Sequence, residues 1–157
     1  MTGSWLSSLL IATLALLLLW GAATDLHSRT ISNRLNLVIA LLSPLWWWAN
    51  GLSLYPDIAL QIGLALAVFA LFTGLFAAGL MGGGDVKLLG ALALWLPPEA
   101  MLALLIIMAL VGGVVTIVTV AHHRLARHNG RPEIPYGVAI ALAGLCVLGE
   151  RYFNPLS

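Results

Sequence analysis

Long apolar runs separated by short polar clusters make up most of the chain, and each run can be measured against a bilayer. A helix crosses ~30 Å of hydrocarbon with about 20 residues. By that ruler the predicted spans are residues 4–24, 34–49, 56–80, 99–121 and 134–149. The second is rather short and closes on Trp46-Trp47-Trp48, which reads as an interfacial anchor. A further segment, between Lys87 and Pro97-Pro98, has only about ten apolar residues, or ~15 Å of helix. Such a half-length helix is tolerable in lipid only if its ends are buried in protein or open to a water-filled cavity. The expected architecture is therefore all-α: a polytopic membrane helix bundle of about six transmembrane segments with a short fourth helix. It forms a single domain over residues 1–157, with no internal repeat and no low-complexity linker.

Composition supports the bilayer as the solvent. Hydrophobic residues make up 61% of the chain and charged residues only 8%, with a mean hydropathy of +1.02. Soluble domains carry roughly 25% charged residues. A net charge of +1 gives no reason to expect nucleic acid as a partner. The single cysteine, Cys146, excludes an intrachain disulfide and a cysteine-based zinc cluster, and within its apolar run it reads as a small buried hydrophobe. The first apolar run, 5–23, has no Lys or Arg before it. It is also longer than the roughly 7–15 residues of a signal-peptide core, so it is expected to be a retained first span.

Charge then orients the bundle. With the N-terminus outside, the cytoplasmic connections are 25–33, 82–87 and 122–133, which hold or abut Arg29, Arg34, Lys87, Arg124, Arg127 and Arg131. Only Arg151 falls on the other side, with Asp57, Glu99, Glu150 and the tryptophans. Six of seven basic residues on alternate loops is a positive-inside pattern. It requires both termini outside.

That topology puts two acids on one face: Asp25 at the end of the first span and Asp85 at the head of the short fourth segment. An ionisable group in a lipid-soluble chain is expected to be functional unless a structural partner explains it. Two carboxylates brought together by different helices cannot both ionise cheaply, so they share a proton. One can act as general base towards water while the other, protonated, polarises a carbonyl.

Structural readings compete with this at each position. Asp25 could pair with Arg29 four positions on. Asp85 could cap a helix starting at Val86, with the preceding glycines serving a turn. Gly82-Gly83-Gly84 is not ordinary helix interior, where each glycine costs up to ~1 kcal/mol, and it suggests that backbone approaches something closely, such as an extended peptide. Asn33 has a side chain suited to capping the second helix, and Arg29 could instead contact Asp25 or a substrate acid. His27 reads as a solvated loop residue, as do His122, His123 and His128. No acid or cysteine completes a metal-ligand set beside them, and no metal or cofactor is expected. Pro132 and Glu133 mark the boundary into the last helix. Gly112-Gly113 and Gly144 read as sites of close helix packing.

Three stretches carry a family resemblance. Asp25-Leu26-His27-Ser28-Arg29-Thr30-Ile31-Ser32-Asn33 resembles the D-x-x-x-[RK]-x-I-x-N stretch of type IV prepilin peptidases. Gly82-Gly83-Gly84-Asp85-Val86-Lys87-Leu88 is similar to their G-x-G-D-x-K-L signature. Ile134-Pro135-Tyr136-Gly137-Val138-Ala139-Ile140 resembles their P-x-G-x-A-[IL] stretch at the last span. Together, in the family's order, the three are far more specific than any one. The resemblance implies a membrane-embedded aspartic endopeptidase that removes the basic leader of prepilins or pseudopilins at the cytoplasmic face of the bacterial inner membrane. Asp25 and Asp85 would be the catalytic pair, with Gly82, Gly83 and Gly84 shaping the loop and Lys87, Arg29 and Asn33 in support. Lys87 would position charge near Asp85. The long bifunctional members also carry a segment with paired Cys-x-x-Cys motifs and methylate the new N-terminus. This sequence, with one cysteine, resembles the short form of tight-adherence (Flp-like) systems, so peptidase activity alone is expected. Nothing in the residues specifies the oligomeric state.

Two rivals remain on the residues. Presenilin-like proteases share a G-x-G-D loop, but they are larger and place tyrosine before the first acid, where this chain has Thr24. A small transporter or pilus-assembly subunit would use the acids as a proton relay, and would place them near the bilayer midplane.

Overall fold

The computed structural model describes residues 2–125 and 136–153. Six helices follow in order within them: α1 (Thr2–Ser28), α2 (Asn33–Ala49), α3 (Ala59–Ala77), α4 (Gly83–Ala93), α5 (Pro98–Leu125) and α6 (Tyr136–Phe153). An irregular turn at Leu54–Ile58, where Tyr55 is extended, leads into α3. The six expected segments are all present, with shifted ends. Helix α1 continues past residue 24 to Ser28, so Asp25 lies on its last turn. Thr24 and Ser28 prolong it by returning their hydroxyls to Gly21 O and Thr24 O. Helix α3 stops at Ala77, while α5 and α6 run further than the apolar pattern alone suggests. The histidines and arginines expected in the 122–133 connection fall outside the described residues from 126 onwards, as do Pro132 and Glu133.

Among the described residues, three stretches are long and apolar enough to cross a membrane unaided: Trp5–Ser28, Leu54–Ala77 and Pro98–His122. Helix α4 has 11 residues, about 16 Å, and is the centre of the bundle. Its Leu88, Leu89, Leu92 and Ala93, and Trp95 and Leu96 just beyond, are almost completely inaccessible. Helices α2, α3 and α6 pack around it and α5 touches it, while α1 packs on α2 and α6. Outside, Leu16, Leu41, Leu66, Leu71, Leu102, Leu110 and Ile117 point away from the protein. Apolar exposure on that scale is untenable in water and ordinary in lipid. The protein is a membrane protein.

A half-length helix leaves its last carbonyls at a depth where water is scarce. Side chains satisfy them here. With its amide nitrogen turned towards α4, the buried Gln61 donates to Ala93 O and Leu96 O, each at 2.9 Å. Trp47 Nε1 donates to Leu94 O at 2.8 Å, and Trp95 Nε1 returns a bond to Ile39 O of α2 at 2.9 Å. Trp46 is buried, stacked on Trp95 at 5.7 Å and met edge-on by Tyr152 at 5.5 Å. The expected interfacial belt is therefore reduced to Trp48; its two neighbours are recruited inwards by the short helix.

Small residues act unevenly. A Cβ on Gly144 would sit 2.9 Å from Leu18 Cδ1, so α1 and α6 do meet closely there. Gly112 makes ordinary contacts with Tyr136 and Ala139, and Gly113 faces open space, so that pair is not the tight crossing expected of it. Cys146 is also not buried: it lies on the outer surface of α6, where lipid suits a thiol as well as a core would.

Candidate active site

Two chain segments build the site at one end of the bundle. The first is the α1–α2 connection. Arg29 adopts a left-handed backbone (φ 54°) and its N–H closes on Asp25 O at 2.9 Å, which ends α1 directly after the turn bearing Asp25. An extended stretch follows to Ser32, whose Oγ accepts from Leu35 N at 3.2 Å and caps α2. The cap expected of Asn33 thus belongs to Ser32. Asn33, one residue inside the helix, is free to accept from Lys87 Nζ at 2.8 Å.

The second segment is the loop into α4. Gly82 is the cap residue, in extended conformation, and Asp85 and Val86 donate their N–H groups to its carbonyl. Asp85 therefore stands third in the helix, not at the cap expected for it. Each glycine before it makes room for a different neighbour. A Cβ on Gly82 would fall 2.9 Å from Asp85 Oδ2; one on Gly83 would press the Phe76 ring at 3.3 Å; one on Gly84 would meet Ile31 O at 3.0 Å and Ile31 Cβ at 3.2 Å. The three glycines let the loop pass between the carboxylate, α3 and the α1–α2 connection. Asn36 of α2 locks the result by donating from Nδ2 to Gly84 O at 2.9 Å.

Both acids are buried, Asp25 at 5% exposure and Asp85 at 9%. They wall one cavity of about 710 Å³ together with Ser28, Arg29, Thr30, Ile31, Tyr136 and the backbone of residues 79–84. Ser28, Arg29, Thr30 and Leu80 at its rim are exposed, so the cavity opens at the bundle end above the two buried carboxylates. Asp25 is held from the far side of the fold. Its Oδ2 accepts from Val138 N, in the first turn of α6, at 3.1 Å. The carboxyl group thus meets a helix N-terminus, where backbone N–H groups lack helical partners.

Arg29 shares the cavity yet makes no ion pair with Asp25; among the described residues the one ion pair is Arg151–Glu99, at 3.5 Å on the opposite end. Lys87 lies away from the carboxylates. With Asn33 and Asn36 it edges a separate groove of about 500 Å³ between α2, α3 and α4, and its bond to Asn33 ties α4 to α2. Lys87 is not among the residues that line the cavity shared by the two carboxylates. Asn36 is the member of the site that lay outside the three motif stretches; Ile31, Tyr136 and the α6 turn lay within them, with no role assigned to them. Asn36 carried one signal, a polar side chain inside an apolar run.

Two buried carboxylates from separate helices, facing one water-accessible cavity, can divide a proton and activate water. No curated protein and no solved structure matches the chain. The family model for the type IV leader peptidase family matches residues 12–117, a stretch that contains both aspartates and all of α2, α3 and α4. The chain belongs to the type IV leader peptidase family.

Proposed function

We propose that this peptidase is aspartic, with Asp25 and Asp85 as its catalytic pair, and that it removes the leader of type IV prepilins or pseudopilins. The observation that carries the reading is the one cavity that these two buried carboxylates both line. In the reaction one carboxylate takes a proton from water as the water oxygen attacks the scissile carbonyl. The other, protonated, donates a hydrogen bond to the carbonyl oxygen as negative charge develops on it. Collapse of the tetrahedral intermediate returns a proton to the leaving amine. Arg29 and the loop of Gly82, Gly83 and Gly84 line the approach of the extended peptide, while Asn33 and Lys87 support α4 from outside. The positive-inside bias of the basic residues supports a cytoplasmic active site in a bacterial inner membrane, with both termini on the other face.

A proton relay across the membrane gains no support from this geometry, because both acids sit at helix ends on one side of the bundle. The experiment is cleavage of a prepilin peptide after its leader glycine by the membrane-embedded protein, scored by size shift. Asp25→Asn and Asp85→Asn should each abolish cleavage and leave insertion intact. Full activity in either variant removes the paired-carboxylate mechanism.

A further inference from the structure

Ile31, in the extended stretch between α1 and α2, is buried and touches both helix starts that carry or hold an aspartate. The tip of its side chain meets α6: a Cβ on Gly137 would lie 2.6 Å from Ile31 Cδ1 and 2.8 Å from Asp25 Oδ2. Its backbone meets α4: a Cβ on Gly84 would lie 3.0 Å from Ile31 O and 3.4 Å from Ile31 N. Glycine stands at both contacts. One residue is thus wedged between the turn that binds Asp25 through Val138 N–H and the turn that bears Asp85.

We infer that Ile31 and Gly137 are positioning residues: Ile31 is the spacer between the first turns of α6 and α4, and Gly137 lets α6 close onto Asp25. This rests on the reading of Asp25 and Asp85 as the catalytic pair. A spacer in this place gains from a β-branched side chain, whose restricted χ1 fixes the direction in which its tip is carried. It must also be closely packed, because an interior at crystal-like density passes a displacement on to its neighbours and does not absorb it. Val138 N–H grips one oxygen of Asp25, so the orientation of that carboxylate follows α6. A methyl group on Gly137 has two ways out, against the Ile31 tip or against the carboxylate itself, and either one alters the pair. Misplacement of a reacting group by ~1 Å can cost roughly 10²-fold in rate.

The test uses Gly137→Ala, Ile31→Val and the double variant, with Gly63→Ala, at a position open to space, as the control. Gly137→Ala should lower kcat on a prepilin peptide about tenfold or more and leave KM within about twofold. Adding Ile31→Val removes the Cδ1 obstacle but not the contact with Asp25 Oδ2. The double variant should therefore regain its melting temperature without regaining kcat. Wild-type kcat in Gly137→Ala overturns the inference, and so does joint recovery of melting temperature and kcat in the double variant, which would mean packing alone. A second readout needs no catalysis. In a Cys146→Ser background, Asp25→Cys and Asp85→Cys should be joined by a short bis-maleimide, and Gly137→Ala should cut the yield severalfold; an unchanged yield overturns the spacer. If the wild-type chain fails to cleave prepilin while the cross-link responds, the peptidase reading falls and the spacer stands. Cleavage with an unresponsive cross-link has the opposite meaning.

Discussion

Asn36 Nδ2 donates to Gly84 O at 2.9 Å, joining the buried face of α2 to the residue immediately before Asp85. It is a side-chain bond to backbone across 48 positions of sequence, and it holds the glycine loop where three flexible residues would otherwise leave it free. The other amide atom, Asn36 Oδ1, is buried and has no hydrogen-bond partner among the described residues.

Gly84 O lies within α4 and keeps its place in the helix ladder, so removing the Asn36 bond to it costs about 0.5–1.5 kcal/mol. Asn36→Ala should lower the melting temperature in detergent and reduce cleavage together. Asn36→Asp keeps the shape but loses the donor and adds a buried charge, so it should be no better. An Asn36→Ala chain with unchanged stability would show that the glycine loop is held by other contacts.

The two carboxylates themselves should respond steeply. Losing a positioned acid or base usually removes about 10²–10⁴-fold in rate. Asp25→Asn and Asp85→Asn should each lose at least that, with melting temperatures at or above the wild type because a buried ionisable group has been neutralised. Single-turnover cleavage and a thermal melt on the same preparation check both halves.

Glycine substitutions should separate chemistry from folding. The obstacle at Gly82 is the end of the Asp85 side chain, which can turn away, so Gly82→Ala should cut cleavage by roughly tenfold or more while the protein stays folded. The obstacle at Gly84 is the Ile31 backbone, so Gly84→Ala should cost stability first, about 1–3 kcal/mol of overpacking. Equal effects on stability from both would contradict the contacts described.

The far end of α4 makes a different demand. Gln61→Leu strips the donor from Ala93 O and Leu96 O, and Trp47→Phe strips it from Leu94 O. Each should destabilise by about 1–3 kcal/mol, since lipid offers no replacement. Cleavage per folded molecule should change little. Lys87→Met, by contrast, breaks an exposed bond to Asn33 worth about 0.5–1.5 kcal/mol, and should leave cleavage within about threefold.

Much of this protein was legible without coordinates. Apolar runs of bilayer length, the short run before Pro97-Pro98 and the placement of Asp25 and Asp85 near polar breaks all follow from local composition, because hydrophobic length is a one-dimensional quantity. The glycine triplet was visibly abnormal for the same reason: three helix-poor residues in a row need a cause. What each glycine makes room for was not legible, since Phe76, Ile31 and Asp85 reach them from three different directions. Trp46 and Trp47 misled because a tryptophan at a span end is equally suited to the interface and to an unsatisfied carbonyl; the length of α4, whose end at Leu94 lies 47 positions from Trp47, decides between them. Asn33 misled because neighbouring Ser32 competes for the same cap.

The aspartates as chemistry, and their place together on one face, could therefore be read from the order of residues, while the groups that hold them could not. Asp25 depends on a backbone N–H of α6, donated across 113 positions, and Asp85 on a loop steadied by Asn36. Backbone donors carry no side-chain signature, so only packing brings Val138 to Asp25. Ile31 stands at a fixed place in the stretch that begins with Asp25, but only packing shows that it reaches both α4 and α6.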